Sequence, residues 1–292
     1  MQFGAIFPQM DGALSRADIR RWVEGVEGLG FHHILVYEHV LGADPAGREN
    51  WTGMTFETPF HEPLTLIAHM AAISDTLAFA TGVLVLPQRQ TALVAKQAAE
   101  ADLLAGGRFR LGVGVGWNGI EYEALGQSLS TRGRRCNEQI GLLRRYWTEP
   151  VVEFHGEFDQ VDRAGINPLP IQRPIPVWVG GDSAAAMHRA GTLGDGWFPH
   201  GRPGEDMNAR IANVNATAAA AGRPANSVGV EARLTLRELR SEDVALEVDR
   251  WRSTAGVTHL GIDTHGFGFR SADHHLETLE GFVHAIGGLP AG

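Results

Sequence analysis

The chain has 292 residues, and its 34 acidic side chains outnumber its 25 Lys and Arg, giving a formal net charge of −9. This acidic balance gives no electrostatic reason to expect a nucleic-acid partner or an anionic membrane surface. The sequence has no run of eighteen apolar residues and does not start with a basic segment leading into an apolar one. We therefore expect a cytoplasmic protein that crosses no membrane. The single cysteine, Cys136, excludes an intrachain disulfide.

Apolar runs alternate with helical patterns along most of the chain. Strands are predicted over residues 2–8, 33–37, 77–86, 109–115, 175–179, 196–199, 228–233 and 259–262. Helices are predicted over residues 15–29, 63–75, 91–105, 120–125, 132–147, 184–193, 207–221, 244–254 and 272–286. A strand, a helix and a second strand within about forty residues, as in 77–117, make a parallel crossover unit.

Two segments interrupt this alternation. Residues 38–62 lack periodicity, which is typical of a functional lid or of a disordered loop, and their aromatic residues Trp51, Phe56 and Phe60 favour a lid. Residues 151–161 alternate as a small hairpin outside any parallel sheet. No stretch reads as a linker, so the pattern predicts one α/β domain over residues 1–292, a (β/α)8 TIM barrel with insertions after strands two and four. A doubly wound open sheet of two domains is the alternative.

The candidate residues are those that follow each strand, because the chemistry of such a barrel lies at the carboxyl ends of its strands. Strand two ends in Glu38 and His39. A histidine at this place suits proton transfer, and a structural hydrogen bond to its own loop is the alternative role. Within strand three, Gly82 is typical of a bulge or of a close packing contact.

The end of strand four is rich in glycine, with Gly112, Gly114 and Gly116 before Trp117. The spacing is not the GxGxxG fingerprint of dinucleotide sites, because Trp117 stands where the third glycine would be. Positions without side chains at a barrel mouth leave room for a flat ring.

Strand five ends in Gly180, Gly181, Asp182 and Ser183, directly before a predicted helix. Amides at a helix N-terminus that follow glycines make an anion site of the kind that a phosphate needs. An ordinary turn with Asp182 or Ser183 as the N-cap uses the same amides, so both interpretations stay open.

Other classes of barrel fit the sequence less well. A metal-dependent hydrolase needs ligands at several strand ends, and strand one offers none, so no metal site is predicted. A glycosidase needs two carboxylates across the mouth, for which only Glu38 and Glu231 qualify. A binding barrel without turnover is compatible with every motif.

Three separated motifs occur in order: TGVLVLPQRQTALVAKQAAEADLLAGGRFRLGVGVGWNGIEYEALG, EFHGEFDQV and PIPVWVGGDSAAAMHRAGTLGDGWFPHG. Together they resemble the luciferase-like monooxygenase superfamily, and specifically its coenzyme F420-dependent oxidoreductase branch, over nearly the whole chain up to Gly201. The resemblance implies a barrel that holds a flavin-type ring at the strand ends and acts on a small-molecule substrate. Such relatives commonly pair as homodimers.

The resemblance also implies roles for particular residues. It implies a non-proline cis peptide at Gly82–Val83 that forms a bulge against the ring, and it makes His39, beside Glu38, the candidate proton donor or acceptor. The loops after strands five and six are implied to bind the cofactor phosphate. With the glycine-rich end of strand four, the predicted cofactor-binding residues are Gly82, Val83, Gly114, Gly116, Trp117, Gly180, Gly181, Asp182, His200, Gly201 and Arg202.

The expected activity is hydride transfer between C5 of coenzyme F420 and an organic substrate. An FMN-dependent monooxygenase is the runner-up, because FMN enzymes share this barrel. The lid residues Trp51 and Phe56 are predicted to bind an apolar or planar substrate. The F420-dependent sugar-phosphate dehydrogenases that resemble this chain carry an acid where Trp117 stands and Asp where Glu38 stands, so their reaction is not implied.

Overall fold

The structure is a computed structural model that describes residues 1–12, 14–49 and 51–290. The strands are β1 (Gln2–Ile6), β2 (His33–Val36), β3 (Ala78–Thr81), β4 (Leu84–Val85), β5 (Phe109–Gly114), β6 (Val152–His155), β7 (Gln160–Ala164), β8 (Val177–Gly180), β9 (Gly196–Phe198), β10 (Gly229–Thr235) and β11 (Val257–Asp263). The helices are α1 (Arg16–Gly28), α2 (Pro63–Ala71), α3 (Thr91–Leu104), α4 (Gly119–Ala124), α5 (Arg132–Thr148), α6 (Ala184–Leu193), α7 (Glu205–Ala220), α8 (Val244–Ser253) and α9 (Ala272–Ala285).

Nine of these strands close into a parallel barrel. The order around the barrel is β1, β2, β3, β5, β8, β9, β10 and β11, and β11 pairs again with β1. The short β4 continues the position of β3 and pairs with β5 further along. The barrel therefore has eight strand positions, which confirms the predicted (β/α)8 architecture and shows that the open doubly wound sheet was wrong.

The third strand position is divided. The sequence predicted one strand over residues 77–86, but the structure has β3, a break at Gly82–Val83, β4, and then a 3-10 turn over Leu86–Gln88. The Gly82–Val83 peptide bond is cis, as the family resemblance implies.

Local sequence signals explain where the surrounding helices begin and end. Ser15 caps α1 in a capping box with Asp18, and the buried face of that helix includes Trp22. Helix α3 ends before Gly106 and Gly107, whose φ angles of 62° and 80° are in the left-handed region that glycine adopts without strain.

The two insertions lie where they were predicted. The lid between β2 and α2 contains an isolated bridge between Ala43 and Thr55. After β5 come α4, α5 and the antiparallel hairpin of β6 and β7, which forms a sheet of its own. None of the helices in the part of the chain that the structure describes combines the length and the apolar character needed to cross a bilayer.

Candidate active site

A cavity of about 370 Å³, here called the main cavity, opens at the carboxyl ends of the barrel strands. Its apolar wall includes Ile6 of β1, Leu35 of β2 and Phe198 of β9. Small residues occupy other parts of the wall, among them Gly82 and Gly261. The cavity thus lies where barrel enzymes carry their chemistry, and its size falls in the range of roughly 300–1,000 Å³ that is typical of small-molecule sites.

His39 lies in the wall of the main cavity, directly after β2. Two aromatic side chains meet its ring edge to face, with centroid distances of 5.0 Å to Phe60 and 5.8 Å to Trp117. This packing limits the orientation of the imidazole.

The carboxylate of Glu121, on α4, holds His39 from behind. The Nδ1–H of His39 donates to Oε1 of Glu121 at 3.2 Å. The same oxygen accepts the amides of Val40 at 2.7 Å and Leu41 at 3.1 Å, and Oε2 accepts Nε2 of Gln88 at 3.4 Å. Glu121 is almost fully buried, so these four donors take the place of water around its charge.

The environment of Glu121 keeps it ionised. Burial acts to raise its pKa, but the hydrogen bond from His39, those from the Leu41 and Val40 amides, and the charge of His39 lower it overall. A carboxylate can only accept, so the proton of the neutral imidazole is held on Nδ1. The Nε2 atom of His39 is then the acceptor that can take a proton from a bound molecule.

Glu38, the other predicted catalytic residue, is engaged elsewhere. Its buried carboxylate pairs with Arg89, whose Nε donates at 3.0 Å, and it also accepts the amide of Val85 in β4. Arg89 extends the network to Glu62 at 3.0 Å. Burial raises the pKa of Glu38 despite the opposing charge of Arg89. These contacts favour a structural role for Glu38, in which it links the end of β2 to β4 and Arg89, and its catalytic role stays a prediction.

The predicted ring-facing glycines make room for the bulge of the third strand position. A Cβ atom at Gly114 would lie 2.5 Å from Val83 Cγ2, and one at Gly180 would lie 2.8 Å from Val83 Cγ1. A Cβ at Gly116 would lie 2.6 Å from Val85 Cγ1. Val83 and Gly116 line the main cavity, whereas Gly114 and Gly180 lie behind Val83. A cofactor contact of these glycines stays a prediction.

Asp182 points to the loop that follows β9. Its carboxylate accepts the backbone amide of His200 at 3.0 Å and Nδ1 of the same residue at 2.6 Å, and it pairs with Arg210. Ser183 is the N-cap of α6 and accepts the amide of Ala186. Of the two interpretations of this turn, the cap is therefore present and belongs to Ser183.

The loop after β9 borders two cavities. His200 and Arg233 line both the main cavity and a neighbouring one of about 170 Å³, whose wall also contains Gly201 and Arg202. The carbonyl of Gly181 accepts Nε1 of Trp197 at 2.8 Å. Phosphate binding by this region stays a prediction.

The lid contributes to the main cavity through Met54 and Phe60. Trp51 instead packs on Trp117, with ring centroids 6.0 Å apart, and Phe56 is 65% exposed. The predicted substrate contacts of Trp51 and Phe56 are not part of the cavity wall as the described residues define it, and their role stays a prediction.

The lower wall of the main cavity carries a buried charge. Glu231 of β10 accepts Nε2 of His33 at 2.6 Å and lies 3.0 Å from Nη2 of Arg110. Burial acts to raise the pKa of Glu231, but the charges of His33 and Arg110 lower it to about 2. Glu38 and Glu231, the two carboxylates considered for a glycosidase, are thus both held in ion pairs.

Sequence reasoning missed Glu121 and the role of Arg89. Glu121 is in the first turn of the helix that follows β5, next to the barrel mouth, and that position was the available signal.

Among the described residues, no group of three or more His, Cys, Asp or Glu side chains could hold a metal ion.

The closed parallel barrel, with a histidine and carboxylate pair beside a cavity at its strand ends, defines a (β/α)8-barrel enzyme. The profile of the luciferase-like monooxygenase family matches residues 1–284. The chain therefore belongs to that family.

Similar curated proteins include both cofactor types. An uncharacterised protein of Mycobacterium tuberculosis, Rv0940c, is 39% identical over 56% of this chain and 57% of its own length. An FMNH(2)-dependent dimethylsulfone monooxygenase of Pseudomonas putida is 34% identical over 62% of this chain and 51% of its own. An F420-dependent hydroxymycolic acid dehydrogenase of Mycobacterium tuberculosis is 28% identical over 80% of this chain and 62% of its own. The matches thus span only about half to three fifths of these relatives' own lengths.

Solved structures share the fold. An F420-dependent secondary alcohol dehydrogenase, in complex with an F420-acetone adduct, superimposes with a TM-score of 0.77 at 15% identity, covering 98% of each chain. The monooxygenase RslO1 from Streptomyces bottropensis also gives 0.77, at 19% identity, covering 97% of this chain and 99% of that one. These likenesses concern the barrel itself.

Proposed function

We propose that this protein is a coenzyme F420-dependent oxidoreductase that moves a hydride between C5 of the deazaflavin and an organic substrate. The observation that carries the proposal is the orientation of His39, which Glu121 holds in the wall of the main cavity with Nε2 as the acceptor. The match to the F420-dependent relative, which extends over 80% of this chain, supports the choice of cofactor.

The residues of the main cavity fit a flat ring. Its apolar wall and its side-chain-free positions at Gly82, Gly116 and Gly261 offer broad surfaces, and Ala232 adds little bulk. Among the predicted cofactor-binding residues, those in this wall are Gly82, Val83, Gly116, Trp117 and His200. When bound there, the deazaflavin would supply the carbon that accepts or delivers the hydride.

The proton is handled by the chain itself. For an alcohol substrate, the carbinol C–H bond breaks with its electron pair as hydride, and the O–H proton passes to Nε2 of His39. Glu121 stabilises the imidazolium that results, because its carboxylate accepts the Nδ1–H hydrogen bond. In the opposite direction His39 returns the proton to a carbonyl oxygen.

An FMN-dependent monooxygenase is the second candidate, because the FMNH(2)-dependent relative shares the higher identity of the two, 34% against 28%. A non-catalytic barrel is the third. A cytoplasmic location, a small-molecule substrate and a homodimer complete the proposal as predictions.

Titration of the purified protein with F420 and with FMN, followed by absorbance and fluorescence, separates the candidates. We expect F420 to bind and FMN to bind at least tenfold more weakly, with reduction of F420 by an alcohol that needs no oxygen. A His39→Gln variant should bind F420 normally and lose turnover. Tight binding of FMN without binding of F420 would refute the proposal, and unchanged turnover in His39→Ala would refute the role of His39.

A further inference from the structure

A second cavity lies on the other side of His39. This side cavity has a volume of about 420 Å³ and is bounded by the end of the lid, the start of α3 and the segment that follows α4. Three residues, Glu38, His39 and Phe60, line both the main cavity and the side cavity. The main cavity and the side cavity therefore adjoin each other at these three side chains.

Four carboxamide side chains line the side cavity. Gln88, Gln90, Gln97 and Gln127 all contribute to its wall. Gln88 donates to Glu121, but the Oε1 atom of Gln97 is buried and has no hydrogen-bond partner among the described residues. A buried acceptor without a partner costs free energy, so this oxygen is suited to a donor group of a ligand.

The charges around the side cavity disfavour charged ligands. Arg89 is the cation in its wall, and it is already paired with both Glu38 and Glu62. The carboxylates of Glu38 and Glu62, which share the guanidinium of Arg89, would repel an anionic ligand. A cationic ligand would compete with Arg89 for these two carboxylates. Carboxamides both donate and accept hydrogen bonds, which matches uncharged groups that do the same. The apolar remainder of the wall includes Leu93 and Leu125.

We propose that the side cavity binds the uncharged polar end of the substrate, a group with hydroxyl or carboxamide chemistry, while the reacting carbon lies against His39 in the main cavity. The inference rests on the proposed function, because it assigns both ends of one molecule to the two sides of His39. Gln97 is its main specificity residue.

The test measures binding to the cofactor-free protein, so it does not depend on turnover. The probes are trans-1,4-cyclohexanediol and cyclohexanol, which differ by one hydroxyl group, and binding is followed by NMR of the glutamine side-chain amides. We expect the diol to bind about five- to tenfold more tightly than cyclohexanol and to shift the Gln97 amide signals. Gln97→Leu should remove that difference, and Gln127→Leu should reduce it. The control Gln2→Leu, at an exposed residue in β1, should leave both affinities unchanged.

Equal affinities for the two probes would overturn the inference, as would a diol affinity that both cavity variants leave intact. Tighter binding of the anionic probe trans-4-hydroxycyclohexanecarboxylate would overturn the charge argument behind it. Failure of the proposed function has a different signature: the wild type would bind the diol with the expected preference but would show no reduction of F420.

Discussion

Replacing Glu121 by Gln tests the proposed role of His39 in proton transfer. The change keeps the size and shape of the side chain but removes its charge and one acceptor oxygen. The amides of Val40 and Leu41 can still donate to the side-chain oxygen that Gln retains. The new NH2 group is itself a donor, so it cannot accept a hydrogen bond from His39 or Gln88. The variant should therefore fold, with His39 no longer held in one tautomer.

The expected loss in rate follows from these contacts. A hydrogen bond to a charged group contributes about 1.5–3 kcal/mol, and about 1.4 kcal/mol corresponds to a factor of ten in rate. If the bond from His39 to Glu121 forms fully only when His39 carries the substrate proton, kcat should fall about 10- to 150-fold. The KM for F420 should change little, because Glu121 is buried behind His39 and does not line the main cavity.

Two measurements separate this positioning role from a merely structural one. Steady-state kinetics at varied F420 concentrations give kcat and the KM for F420, and ¹⁵N NMR of the imidazole reports which nitrogen of His39 carries the proton. In the wild type the neutral ring should carry it on Nδ1, and in Glu121→Gln the two tautomers should mix. A Glu121→Asp variant, which keeps the charge, should recover part of the rate. Unchanged kcat, or a tautomer that stays on Nδ1 in Glu121→Gln, would refute the reasoning.

Two further predictions concern stability. Gly114→Ala should lower the free energy of unfolding by about 1–3 kcal/mol in urea titrations, because its Cβ would lie 2.5 Å from Val83 Cγ2. Gly141→Ala in α5, where a Cβ meets nothing within 4 Å, is the matched control and should be neutral or stabilising. Arg89→Met should cost about 3 kcal/mol at pH 7, because it leaves the buried Glu38 without its cation. The pKa of Glu38 is raised in the folded state, so this cost should shrink as the pH falls towards the carboxyl's unfolded value of 4.5. A cost that is constant from pH 7 to pH 4.5 would contradict that assignment.

The barrel could be predicted from the sequence because each of its elements carries a local signal. The apolar runs and glycine stops predicted strands and helices whose bounds mostly agree with those observed to within two residues, as for β2 and α3. Helix α2 ended at Ala71, four residues before the predicted position 75. The prediction of one strand over residues 77–86 was wrong. The run is almost entirely apolar, and hydrophobic periodicity gives no sign of the break at Gly82.

The site was harder to predict from the sequence than the fold, because its contacts join distant parts of the chain. The pair of His39 and Glu121 spans 82 residues, and the pair of Glu38 and Arg89 spans 51. No spacing rule reports which carboxylate will meet which base across a barrel mouth. The glycines of β5 were noticed, but the sequence did not show that Gly114 leaves room for the side chain of Val83. Glycines in a sequence indicate positions where a side chain would not fit, but they do not show which neighbouring group occupies the space.

The same two networks also hold both ends of the lid. Glu121 binds the first lid amides, at Val40 and Leu41, while it holds His39. Arg89 pairs with Glu38 at the start of the lid and with Glu62 at its end. Both ends of the lid are thus fixed to groups that hold the imidazole of His39 in place. Release of Val40 and Leu41 from Glu121 would free the residues directly after His39. These lid contacts therefore help to keep the proposed proton acceptor beside Glu121.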